Sequence, residues 1–299
     1  MSFRIAHITD IHWMVEPSLW RVWWSKRALG TANLYLGGRR HHFREDVQAA
    51  LVAEVVAQQP DLVILTGDLT AQALPAEFEK ARAALDPILR AFPTFIIPGN
   101  HDTYTTGAFR SRRIERYFGE WMGLEPHRPV GRLDIGPVTV LGLDPNRPSW
   151  SASGEVPAEQ LTQLGQLLQE DALRERFLVL ALHYPILGPG GALYENRGHG
   201  LLNAGALVKT LEQAPIRPHL AIHGHKHHGY RGQIRFSDGH HLETHNPGSG
   251  GYQLHTEAGR AAAFNTYTIE AGRLAHVQRY LYDGTGFPKE VGEIYSSGY

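Results

Sequence analysis

Five short apolar runs, each followed closely by a carboxylate, a histidine or an asparagine, constrain this chain more than any other feature. Ile5–Ile8 leads to Asp10 and His12, Leu62–Leu65 to Asp68, and Phe95–Ile97 to Asn100, His101 and Asp102. Leu178–Leu182 leads to His183, and Leu220–Ile222 to His223, His225 and His227. A short continuous apolar run reads as a strand covered on both faces. Between the runs, Val47, Leu51 and Val55 stand at four-residue steps and Pro60 follows, which predicts a helix over 44–58. Pro75 opens a second helix to about Phe92, and two more are expected near 157–171 and 203–214. With Val138–Leu143 as a further strand, the alternation predicts an α/β layered fold with a largely parallel centre. In such sheets ligands gather at the carboxyl ends of the strands, which is where all five polar blocks fall.

The last third changes character. Tyr230–Phe236, His241–His245, Ala262–Glu270 and Leu274–Tyr282 read as strands joined by short turns, with a hairpin at Glu270–Arg273. A second, mostly antiparallel sheet packed on the first is the expected result. With no repeat and no linker, the chain is expected to be one domain over 1–299. Within it we expect an insertion at about 13–44 and a β-rich part at about 228–285.

Composition narrows the function. A net charge of −1 offers no general attraction for a nucleic acid polymer, and the absence of cysteine excludes disulfides, zinc ribbons and thiol nucleophiles. No Gly-rich loop ending in Lys-Ser/Thr occurs, which argues against an NTP-driven motor or kinase. The start of the chain lacks a signal-peptide pattern and no 18 apolar residues run together, so a cytoplasmic protein without a transmembrane segment is expected.

Asp, His and Asn together offer oxygen and nitrogen donors suited to Mn, Fe, Zn or Co. Gly67, Gly99 and Gly224 flank three of the blocks, where a backbone bends sharply or approaches a ligand. Taken singly, each block has a plainer reading. Asp68 could cap the segment that begins near Thr70, His183 could be a core histidine, and His227 and His228 could be solvated. Gly99-Asn100-His101-Asp102 resists this, because a turn needs Gly and Asn but not His and Asp as well.

Asp10-Ile11-His12, Gly67-Asp68, Gly99-Asn100-His101-Asp102, His183 and Gly224-His225-Lys226-His227 resemble, in order, the motifs of the calcineurin-like metallophosphoesterases. Their spacing is similar to that of the class III cyclic nucleotide phosphodiesterase branch, with glycerophosphodiesterases as close relatives. The resemblance implies a four-layer αββα sandwich of two mixed β-sheets flanked by helices, holding two divalent metal ions (Mn, Fe or Zn). It implies that Asp10, His12 and His227 bind one ion, that Asn100, His183 and His225 bind the other, and that Asp68 bridges both. Two such ions, about 3.5–4 Å apart, acidify a bridging water and clamp phosphoryl oxygens. The implied reaction is attack of a metal-bridging hydroxide on a small phosphodiester, 3′,5′-cyclic nucleotides among the candidates. His101 would stabilise charge at the scissile phosphate or protonate the leaving oxygen, with Asp102 orienting its imidazole. The alternative is a phosphomonoesterase or pyrophosphatase acting on a lipid or sugar phosphate. A non-catalytic interaction module would have lost ligands, and here every one is present.

Two segments are candidates for substrate contact. Residues 13–44 hold four of the six tryptophans (Trp13, Trp20, Trp23 and Trp24) and carry a charge of +5. Trp20, Trp23 and Trp24 share one face of a short predicted helix that Gly30 ends. The insertion either packs on the body or forms a lid, with Trp23 and Trp24 meeting an aromatic base, an acyl chain or a membrane surface. The loop Gly188–Asn203 follows His183, and there Arg197 is placed to hold a phosphate oxygen and His199 a leaving-group oxygen. A homodimer paired through the C-terminal strands is also allowed by their pattern.

Overall fold

Strand β1 (Ser2–Ile8) runs through the middle of the fold and sends alternate side chains into two different cores. The structure, a computed structural model, describes residues 2–15, 42–125, 127–147, 151–255 and 260–292. Most of the 13–44 insertion, with Trp20, Trp23 and Trp24, lies outside the described residues. After β1 come α1 (Glu45–Ala57), β2 (Leu62–Leu65), α2 (Pro75–Ala91), β3 (Thr94–Ile96), α3 (Thr106–Arg110) and α4 (Arg113–Phe118). Next are β4 (Gly131–Ile135), β5 (Val138–Gly142), α5 (Ala158–Leu167), β6 (Phe177–Ala181), α6 (Ala204–Gln213) and β7 (Leu220–Ile222). The chain continues with β8 (Tyr230–Arg235), β9 (His241–Asn246), β10 (Ala263–Glu270) and β11 (Arg273–Leu281).

The strands form two mixed sheets, ordered β11-β10-β1-β2-β3 and β4-β5-β6-β7-β9-β8. In the first, β1, β2 and β3 are parallel; in the second, β5, β6, β7 and β9 are parallel. Ile5, Ile64, Phe95, Val140, Val179, Ile222 and Tyr267 fill the space between the sheets. On the outer face of the first sheet, Ala6, Ile8, Val63 and Leu65 pack against Leu51, Val55, Phe78 and Leu85 of α1 and α2. On the outer face of the second, Leu141, Leu178 and Leu180 pack against Leu164, Leu207 and Leu211 of α5 and α6. The order of layers is therefore helix, sheet, sheet, helix. Being covered on both faces is why these strands are continuously apolar.

The C-terminal strands depart from expectation. They do not make a second sheet of their own: β8 and β9 extend the sheet of β7, whereas β10 returns antiparallel to β1 and β11 pairs outside it. β10 thereby closes the edge of β1 that β2 leaves open, which satisfies backbone groups that an uncovered strand would leave unpaired. Trp13, at the start of the insertion, is buried in the outer core beside α1 and donates its N–H to the Leu69 carbonyl. No helix among the described residues is long and apolar enough to cross a membrane.

Candidate metal centre

The loops after β1, β2, β3, β6 and β7 converge on one edge of the sandwich and bring the five polar blocks together. The loops after β1 and β2 continue the strand pairing: the N–H groups of Asp10, His12 and Trp13 donate to the carbonyls of Gly67, Asp68 and Leu69 at 2.8–3.0 Å. Five site residues adopt left-handed backbone, with φ of 53° at Asp10, 56° at His12, 54° at Asp68, 73° at His225 and 57° at His227. Non-glycine residues avoid this region at a cost of roughly 1–3 kcal/mol each, and such residues cluster where a geometry is imposed by function. Close approach explains two glycines. A Cβ on Gly99 would lie 2.2 Å from Asp68 Oδ1, and one on Gly224 would lie 2.2 Å from Asp10 Oδ2.

Asp10, His12, Asp68 and His227 each aim a donor atom into a space where all four atoms lie within 4.8 Å of one another. The Nε2 atoms of His12 and His227 are 3.1 Å apart, and His227 Nε2 is 3.2 Å from Asp10 Oδ1. Asp10 Oδ2 accepts the N–H of His225 at 2.9 Å and the hydroxyl of Thr9 at 2.8 Å. Oδ1 of the same carboxylate is fully buried without a hydrogen bond. A buried carboxylate oxygen left so, facing two imidazoles, is poor chemistry unless a cation completes it.

On the other side, Asp68 Oδ2 is 3.6 Å from His12 Nε2 and 3.4 Å from His183 Nε2, while Asp68 Oδ1 accepts the N–H of His101 at 2.8 Å. Asn100 Oδ1 sits 3.1 Å from His183 Nε2 and 2.9 Å from His225 Nδ1. Burial disfavours charge on His183, but Asp68 outweighs it and raises the imidazole to about 9. Burial likewise opposes the Asp68 charge, yet His183 and the neighbouring imidazoles hold its carboxyl well below the usual range. Burial, aided by His183, keeps His225 neutral, the form that can donate a lone pair to a cation.

Main-chain carbonyls set the orientation of these rings. His183 Nδ1 lies 2.7 Å from Thr66 O and His101 Nδ1 lies 2.6 Å from Ala71 O. A carbonyl can only accept, so each Nδ1 carries a proton and Nε2 is the nitrogen left facing the centre. The expectation that Asp102 orients His101 is thus corrected. Both Asp102 oxygens are occupied by donors from the loops: Gly99 N and Leu69 N on Oδ2, Thr70 N and Thr70 Oγ1 on Oδ1. The fully buried Asp102 clamps the loop after β2 to the loop after β3, and burial pushes it up to about 7.

Of the four expected substrate contacts, His199 reaches the site, with Nδ1 2.9 Å from His225 Nε2. Arg197 is exposed on the same loop, and Trp23 and Trp24 fall outside the described residues. Phe43 and Asn146 were not anticipated. Phe43 packs at a tilt against the His12 ring, with centroids 4.5 Å apart, and edge-to-face against Tyr252 at 5.6 Å, forming an aromatic wall. Asn146 donates Nδ2 to the carbonyls and carboxylates that brace the third loop, Pro98 O at 2.9 Å and Asp144 Oδ1 at 2.7 Å. The turn Asn246–Gly250 holds the site from behind through Asn246 Nδ2 on Gly224 O and Ser249 Oγ on Asp10 O, both 2.6 Å.

Comparison with known proteins places this architecture. The family model of the calcineurin-like phosphoesterases matches residues 3–229, from β1 to the end of the last ligand loop. The chain belongs to the calcineurin-like phosphoesterase family. Among curated relatives, two probable cyclic nucleotide phosphodiesterases of Synechococcus species are each 26% identical, over 62% and 60% of this chain and 59% and 64% of their own lengths. A probable glycerophosphodiester phosphodiesterase of Arcobacter nitrofigilis is 27% identical over 42% of each chain. These matches thus span less than two thirds of the relatives. Among solved structures, a dimetal phosphatase from Danio rerio superposes with a TM-score of 0.58 at 14% identity, covering 96% of this chain and 98% of that one. A purple acid phosphatase from yellow lupin gives 0.60 at 12% identity, covering 97% of this chain and 53% of that one. At these identities they show the shared metallophosphoesterase fold.

Proposed function

We propose that this calcineurin-like phosphoesterase hydrolyses small phosphodiesters with two divalent metal ions, 3′,5′-cyclic nucleotides and glycerophosphodiesters being the leading candidates. The observation that carries the reading is the position of Asp68, whose Oδ2 lies between His12 on one side and His183 on the other. Asp10, His12 and His227 would hold one ion, Asn100, His183 and His225 the second, with Asp68 common to both. The pair, when bound, supplies Lewis acidity to the phosphoryl oxygens and lowers the pKa of the attacking water. Mn, Fe and Zn all suit this donor set.

The chain's own residues do the rest. His101, fixed through Nδ1 by the Ala71 carbonyl, presents its Nε2 edge beside His12, with the ring centroids 4.8 Å apart. From there it serves the leaving oxygen as a hydrogen-bond donor or acid. Asp102 acts one step removed by holding the loop that carries His101. Phe43 and Tyr252 offer an aromatic flank to the substrate, and Trp23, Trp24, Arg197 and His199 remain the proposed contacts for its non-phosphoryl part. The names of the curated relatives favour a diester over a monoester.

The test is hydrolysis of bis(p-nitrophenyl) phosphate against p-nitrophenyl phosphate after chelation and Mn²⁺ add-back, with Asn100→Ala alongside. Metal-dependent turnover of the diester, lost in the variant, is expected. Preference for the monoester would replace the reading with a phosphomonoesterase.

A further inference from the structure

His225 is secured differently from the other imidazoles of the centre. Its Nδ1 faces Asn100 Oδ1 at 2.9 Å, and its opposite nitrogen, Nε2, lies 2.8 Å from the main-chain carbonyl of His199 and 2.9 Å from His199 Nδ1. The carbonyls that fix His183 and His101 come from Thr66 and Ala71, in the loop between β2 and α2. The carbonyl that faces His225 comes instead from an exposed loop, 188–203, which supplies none of the Asp10, His12, Asp68 and His227 donor set.

We infer that the His199 carbonyl is the positioning group for His225, so that the 188–203 loop governs occupancy of the second metal position separately from the first. This rests on the dinuclear reading above. The Nε2 proton of His225 is shared between the His199 carbonyl and ring nitrogen, which leaves Nδ1 as the lone pair directed at the centre. The loop holds its carbonyl in place through a tight internal turn. Gly200 N donates to Asn196 O at 2.6 Å, Leu201 N to Tyr194 O at 2.9 Å, and Lys226 Nζ to the Tyr194 hydroxyl at 2.7 Å. The turn has no room at Gly200, where a Cβ would stand 2.2 Å from Tyr194 O and 2.3 Å from Asn196 N. Gly200→Ala therefore opens the turn and withdraws the carbonyl, whereas His199→Ala removes the ring and keeps the carbonyl.

The experiment is Mn²⁺ titration of the chelator-treated full chain, followed by calorimetry and by the EPR signal of free Mn²⁺, with circular dichroism as a folding check. Outer hydrogen-bond partners of metal ligands typically change affinity about 10–100-fold. Gly200→Ala is expected to weaken the second binding step at least about tenfold in that range and to leave the first step unchanged, while His199→Ala leaves both unchanged. Should Gly200→Ala not fold, Tyr194→Phe, which keeps the ring and removes only the hydroxyl that Lys226 holds, is expected to weaken the second step alone. Two unchanged steps, or two steps weakened equally, in the folded loop variant would overturn the inference. So would a His199→Ala loss as large as that of Gly200→Ala, since the ring would then be the anchor. Wild-type protein that takes up fewer than two ions would overturn the dinuclear reading itself, and the inference with it.

Discussion

His12 and His227, 215 positions apart in the chain, set their Nε2 atoms 3.1 Å from each other, with Asp10 Oδ1 3.2 Å from the latter. Two imidazole lone pairs and a buried carboxylate oxygen repel one another unless a proton or a cation lies between them. Divalent metal should therefore stabilise the native state markedly: ligand at 100 times its Kd adds about 2.7 kcal/mol. We expect a thermal melt of chelated protein to shift upward by several degrees on Mn²⁺ addition. The shift should shrink in Asp10→Asn and His12→Ala, with diester turnover in both falling by about 10²-fold or more, the scale on which a catalytic electrostatic group acts. A melt indifferent to metal would contradict this.

His101 and Asp102 are neighbours in sequence with separate duties, and their variants should separate accordingly. Asp102→Asn turns one acceptor into a donor facing the N–H groups of Gly99, Leu69 or Thr70. An unsatisfied buried donor costs about 1–3 kcal/mol, so the melting temperature should drop and turnover with it. His101→Ala should leave the melting temperature and metal content near wild type and lower kcat by about 10²–10⁴-fold, the range for a lost acid–base group. Equal stability losses in both variants would show that His101 is structural.

The same pair marks the limit of what the residue string disclosed. The parallel strands were legible because burial on both faces imposes unbroken apolar runs, and the ligand blocks because chemistry-bearing side chains have distinctive types. β4 was not legible: as an edge strand it is only partly covered, with Arg132 half-buried, Asp134 exposed and Arg132 bound to Glu170 at 2.6 Å. Nor were the carbonyls of Thr66, Ala71 and His199, since every residue has one and only the fold decides which points at a ring. Asp102 was misassigned for a related reason. Successive side chains in a tight turn diverge, and its carboxylate turned inward to the Leu69 and Thr70 amides instead of toward His101. The assignment of β8–β11 to two sheets depended on long-range pairing with β7 and β1, to which local alternation is blind.

Gly224 gives a sharp steric prediction. A Cβ there would lie 2.0 Å from Thr9 Oγ1 and 2.2 Å from Asp10 Oδ2, so Gly224→Ala must displace the carboxylate that the His225 amide holds. The neighbours are short side chains pinned by hydrogen bonds, with little freedom to yield. We expect the variant to fold, to bind Mn²⁺ at least tenfold more weakly than wild type, in the range of about 10–100-fold seen when ligand positioning is lost, and to lose most turnover. Metal content after gel filtration checks it, and wild-type stoichiometry would show that the loop absorbs the methyl group.

Stability of the metal-free protein should fall in mild acid because of histidines remote from the ligands. His7 and His245 are fully buried between the sheets, and burial lowers both below their ordinary value of 6.5, with His223 and His245 adding to the effect on His7. In the unfolded chain both titrate near that ordinary value, so below it the unfolded state binds protons that the folded state refuses. Their contribution is complete above pH 6.5 and is lost as the pH drops beneath it, at up to about 1.4 kcal/mol per pH unit for each group. Urea midpoints of chelated protein at pH 7.5 and pH 5.5 should therefore differ. His245→Gln, which retains a hydrogen-bonding group for Glu243 (3.1 Å from His245 Nε2), should reduce the difference even where it lowers both midpoints. An undiminished pH difference in His245→Gln and in His7→Gln would assign the acid sensitivity to groups other than this buried pair.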